Sequence, residues 1–138
     1  MKDFQKSKVY KWEDAVIAPK DQGIVSFENI QNIVNYVWRG EGLDYPPQVL
    51  PLSRQCKKVI GTGERLNLHF RETGVPTWVI IHEISHAMSV DLHGEQFVGN
   101  YMRMISKFMG VNLLYLMASA KDMGVKFNVG AKPVLICE

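Results

Sequence analysis

The apolar positions along the chain change their period from one segment to the next, and each period predicts an element. Lys8 to Ala18, "KVYKWEDAVIA", is rich in strand-forming residues and predicts an opening strand. Ser26 stands where a helix N-cap belongs. After it Phe27, Ile30, Val34 and Val37 recur at helical spacing until Gly40. "GEGLDYPPQVLP" reads as loop from its glycines and prolines. "KKVIGTGERLNLHF" then predicts two short strands around a Gly-Thr-Gly turn, with Leu66, Leu68 and Phe70 alternating against Arg65, Asn67 and His69.

Pro76 suits the first turn of a helix, and "WVIIHEISHAM", which follows, is apolar nearly all round, so that helix should be central. A second helix from about Glu95 to Met109 carries Phe97, Tyr101, Met104 and Phe108 on one stripe, and Gly110 stops it. Asn112 can cap a third helix through Met123, closed by Gly124, and a short alternating segment, "VKFNV", follows. This order predicts an α+β fold in one domain, residues 1–138, with a small, mostly antiparallel sheet against the central helix and further helices.

Composition changes this picture little. The chain is 46% hydrophobic and 22% charged, an ordinary globular balance that argues against disorder. A net charge of +2 without a concentrated basic stripe argues against a nucleic-acid partner. The longest uncharged run, Phe108 to Ala120 with Gly110 inside it and interrupted only by polar neutrals, is too short to span a bilayer. The charged first residues precede no apolar leader core, and Cys56 and Cys137 form no CxxC pair. These features predict a cytoplasmic protein without a membrane partner. The methionines at 102, 104, 109, 117 and 123 read as helix core.

The chemistry concentrates in one stretch. Three of the four histidines, His82, His86 and His93, lie in "HEISHAMSVDLH". On a helix His82 and His86 share a face one turn apart, the arrangement two ligands of one tetrahedral zinc require. Glu83 is rotated about 100° from His82, so it can reach a metal-activated water without being a ligand. A catalytic zinc needs a third protein ligand and an open fourth position, and His93 is the candidate after a turn. Asp91 is a possible substitute ligand or a partner for a histidine N–H. The bland alternative, two satisfied core histidines, fits poorly with three polar side chains buried in one apolar helix.

"HEISHAMSVDLHGEQF", with the following "YMRM", resembles minimal zincins in which HExxH precedes an HGxxF-type segment, as in SprT-like metallopeptidases. "DFQKSKVYKWEDAV", "VIIHEISHA" and "HGEQFVGNYM" resemble a family of small metallohydrolases, assigned by motif, from bacteria and phages. The resemblance spans roughly Asp3 to Val125. It implies His82, His86 and His93 as zinc ligands and Glu83 as general base. Six residues separate His86 from His93 with no glycine among them, which departs from the metzincin pattern.

The expectation is therefore a zinc-dependent hydrolase, foremost a peptidase acting on a peptide or protein substrate. A non-peptidase amide or ester hydrolase and a non-catalytic adaptor stapled by zinc are the alternatives. Tyr101 could donate to the tetrahedral intermediate, although a place in the core stripe suits it better. "RLNLHF" is the natural edge strand for an extended substrate, with His69 on its polar face.

Overall fold

The computed structural model describes residues 2–21, 23–52, 61–63 and 67–135. Along the chain it sets helix α1 (Lys6–Trp12), a π turn (Glu13–Ile17) and a 3-10 turn (Ala18–Lys20). Strand β1 (Ile24–Val25) and helix α2 (Phe27–Gly40) follow, then strands β2 (Gln48–Pro51), β3 (Gly61–Gly63), β4 (Asn67–Phe70) and β5 (Val75–Pro76). Helices α3 (Thr77–Ala87), α4 (Glu95–Met109) and α5 (Leu113–Asp122) complete an α+β fold. These elements fall into two compact units, Gln22–Ala87 and Met1–Asp21 with Met88–Glu138.

In the Gln22–Ala87 unit, α2 presents Ile30, Val34 and Val37 to the core, as their spacing predicts, with Trp38 buried beside them and Phe27 half-buried. Ser26 takes the N-cap position, and its hydroxyl accepts from the Asn29 side chain at 2.8 Å. Gln31 ties α2 to the sheet: its amide donates to the Pro47 carbonyl at 3.0 Å and its oxygen accepts from the Val49 N–H at 2.7 Å. The three-stranded sheet has the order β2-β4-β3, with β2 parallel and β3 antiparallel to β4. Leu68 and Phe70 of β4 are buried, as their alternation predicts.

Three expectations for this region are corrected. Gly61–Gly63 is itself a strand rather than the turn between two. Gln48–Pro51, expected within a loop, is strand β2, and it pairs parallel with β4. Asn67–Phe70, the described part of "RLNLHF", has a strand on each side and so offers no edge to a substrate. The strand expected over "KKVI" lies outside the described residues.

In the other unit the first correction is the larger one. Residues 8–18 are helical, not extended. Val9, Trp12, Val16 and Ile17 are all buried at a stride of three and four, so a helix places every one inside where a strand would split them between two faces. Their strand propensity yields to that packing.

α4 matches its predicted bounds and buries Phe97, Tyr101 and Met104, with Phe108 half-buried. Gly110 closes it in the left-handed region at φ 72°. Asn112 caps α5 by accepting the Tyr115 N–H at 3.0 Å. Met102 and Met104 are in the core, and Met109, Met117 and Met123 are half-buried.

The "VKFNV" segment is irregular and lies against α4. The Asn128 N–H donates to the Glu95 carbonyl at 3.1 Å, and Arg103 donates to the Ala131 carbonyl at 2.7 Å. Gly99 permits this approach, since a Cβ there would stand 1.7 Å from the Asn128 carbonyl oxygen. Among the described residues, no helix is long and apolar enough to cross a membrane.

Candidate metal centre

The α3 part of the site is built by local sequence. β1 and β5 pair antiparallel just ahead of the helix, and Gly74, at φ 94°, lets the turn into β5 pass within reach of the Val25 carbonyl. α3 then buries Val79, Ile80, Ile81, Ile84 and Ala87 around its circumference. His82, Glu83 and Ser85 are buried with them, while Thr77, Trp78 and His86 are half-buried. Ser85 is satisfied within the helix, donating to the Ile81 carbonyl at 2.7 Å.

The two histidines meet one turn apart. Their Nε2 atoms are 3.2 Å apart, with ring centroids at 4.9 Å and planes inclined by 66°. Two geometries give such a distance. One is an N–H···N hydrogen bond between differently protonated rings; the other is two lone pairs directed at one ion. Nitrogens bound to one tetrahedral zinc at about 2.0–2.1 Å stand about 3.3 Å apart. The pair as it stands therefore has the spacing of one edge of a zinc tetrahedron, and the donor set fits the metal. Glu83 is buried beside them on the same helix, rotated about 60° from His86.

In the other unit, His93 is positioned by the turn leading into α4. Asp91 organises that turn: its two carboxylate oxygens accept the N–H groups of Gln96 and Phe97 at 2.8 and 3.0 Å, capping the helix. Gly94 is required here for space, since a Cβ would stand 2.5 Å from the Asp91 carboxylate. Leu92, just before His93, adopts φ 58°, a strained conformation for a branched side chain.

The His93 ring is buried and held on three sides. Tyr10 and Phe97 meet it edge-on at centroid distances of 5.1 and 5.0 Å. The Asp3 carboxylate reaches its Nδ1 at 2.6 Å and also accepts the His93 backbone N–H at 3.4 Å.

Tyr101 is wholly buried, stacked on Phe97 at 5.5 Å and edge-on to Trp12 at 6.1 Å. Its hydroxyl donates to Glu13 Oε2 at 2.7 Å. Glu13 is 2% exposed. Burial pushes its carboxyl up to about 8, against the opposing pull of the Tyr101 hydrogen bond and of His93, with Asp14 adding a smaller push upward. His69 is half-buried on the central strand β4, opposite Leu50 and Thr62. Cys56 and Cys137 lie outside the described residues.

Sequence reasoning did not single out Asp3 or Glu13. Glu13 had a signal: read as a helix, the first segment places it four residues after Val9 and four before Ile17, on the buried face. Asp3 had none, because its contact with His93 crosses ninety positions of sequence. No family model, curated protein or solved structure matches this chain.

Proposed function

We propose that the chain is a zinc-dependent hydrolase, foremost a small peptidase, in which His82, His86 and His93 hold the ion and Glu83 is the general base. The observation that carries the reading is the 3.2 Å approach of two Nε2 atoms on an apolar helix, with an acid buried between them in sequence. His82, His86 and His93 form the group of side chains among the described residues that could hold a metal, each offering one ring nitrogen. His93 follows His86 after six residues, a tether short enough to return the chain to the same ion.

Zinc bound there would supply a positive charge that polarises a carbonyl and acidifies a water. The chain's own groups supply the rest. Glu83 takes a proton at its carboxylate and returns it to the leaving amine. Glu83 is itself buried on a helix rich in buried apolar residues, which limits competition from bulk water for that proton. Asp91 holds the start of α4, and with it the backbone of the His93 turn. The choice of a peptide substrate rests on the SprT-like resemblance, and a cytoplasmic location on the sequence.

An adaptor stapled by zinc is the second reading, and the donor count speaks to it. A structural zinc is closed by four protein ligands, whereas three side chains make up the group among the described residues. Cys56 and Cys137 are the remaining soft donors in the sequence. Glu83→Gln separates the readings. It should leave zinc content unchanged and lower cleavage of a fluorogenic peptide library about 10²- to 10⁴-fold. Undiminished cleavage by that variant excludes Glu83 as the base. Zinc affinity that collapses in Cys56→Ser or Cys137→Ser favours the staple.

A further inference from the structure

We infer that Asp3 is the positioning residue of the metal centre: its carboxylate fixes the tautomer and plane of His93 and so presents His93 Nε2 as the ligand atom. The inference rests on the metal reading above and adds to it a residue from the first turns of the chain.

The geometry is specific. An ionised carboxylate can only accept, so the 2.6 Å contact with Asp3 Oδ2 places the ring proton on Nδ1. A neutral imidazole protonated at Nδ1 carries its lone pair on Nε2, the state a metal ligand needs. The second oxygen, Oδ1, accepts the His93 backbone N–H at 3.4 Å, so one carboxylate grips both the ring and the main chain of the same residue. That double contact sets the ring's rotation as well as which of its nitrogens faces the carboxylate. Tyr10 and Phe97, both edge-on to the imidazole, oppose any other orientation. The Asp3 side chain is itself mostly buried, at 18% exposure, so the charged bond is shielded from water.

Asp91, the nearer acid in sequence, spends both oxygens on the N–H groups of Gln96 and Phe97. Asp3 itself is held in place through its neighbours. The Gln5 side chain donates to the Lys126 carbonyl and accepts the Lys126 N–H, both at 2.9 Å, which anchors the first segment two residues away. A carboxylate–histidine pair of this kind raises the basicity of the ligating nitrogen, and losing it typically weakens metal binding about 10- to 100-fold.

The test compares full-length wild type with Asp3→Asn, Asp3→Ala and Asp91→Ala. The readouts are zinc affinity by competition with a chromophoric chelator and imidazole ¹⁵N shifts in the metal-free proteins. Asp3→Ala should weaken zinc about 10- to 100-fold and release the His93 tautomer from its fixed Nδ1–H form. Asp3→Asn preserves volume and one acceptor, so it should fold as wild type and fall between the two; it also covers the case in which Asp3→Ala does not fold.

Asp91→Ala should leave His93 in its Nδ1–H form, since the Asp91 carboxylate caps the helix and does not touch the ring. Zinc bound equally by wild type and Asp3→Asn, with an unchanged His93 tautomer, overturns the inference while leaving the metal reading intact. No zinc bound by wild type at all overturns the metal reading, and this inference with it.

Discussion

The two places that present histidines are built in opposite ways. On α3, His82 and His86 are brought to 3.2 Å by nothing more than a spacing of four on a helix. At the start of α4, His93 is set by a capped turn, by two aromatic edges and by an aspartate ninety positions away. The first arrangement comes with the helix itself; the second exists only after tertiary folding. Perturbing the scaffold around His93 should therefore degrade the site gradually, whereas changes on α3 should act in one step.

The largest scaffold effect belongs to Trp12. It is fully buried, edge-on to Tyr101, and its Nε1–H donates to Ser119 at 3.0 Å. Trp12→Ala should cost about 3–5 kcal/mol in denaturant unfolding of the metal-free protein, from the lost burial and the cavity left behind. A loss under about 1 kcal/mol would show that the N-terminal helix is not part of the scaffold. Gly99→Ala comes next. Its methyl meets a backbone carbonyl that cannot rotate away, and about 1–3 kcal/mol of overpacking should appear in the same measurement.

Glu13 provides the test by pH. In the unfolded chain its carboxyl gives up a proton near 4.5, and in the folded chain it holds one up to about 8. Between these values the folded state binds the extra proton, so stability is full below about 4.5 and falls as pH rises towards about 8. The cost at the upper end is on the order of a few kcal/mol. Glu13→Gln should flatten that slope in the metal-free protein, and a slope identical to wild type would mean that another group carries it. The smallest effect is expected at Asp91, where removal of the capping carboxylate in Asp91→Ala should cost about 1 kcal/mol.

The same contrast explains what could be read before folding. α2, α4 and α5 were legible because their stripes and caps are local: Ile30, Val34 and Val37 on one, Phe97, Tyr101 and Met104 on another, Asn112 and Gly110 at the ends. The candidate pair on α3 was legible for the same reason.

The first segment was misread as a strand because "KVYKWEDAVIA" carries strand-forming residue types, while its buried positions keep helical stride. The central place of β4 was not legible, since its parallel partner β2 lies in a segment whose glycines and prolines read as loop. Asp3 belongs to the same class: a short polar residue near a chain end gives no sign of the ring it will hold.

The central claim is that the three histidines share one metal ion, and metal stoichiometry tests it most directly. Protein purified with zinc and dialysed against weak chelator should retain one zinc per chain in wild type and none in His86→Ala, with the fold of the variant checked by its far-ultraviolet spectrum. Wild type that retains no zinc, or a folded His86→Ala that retains a full equivalent, would contradict the account.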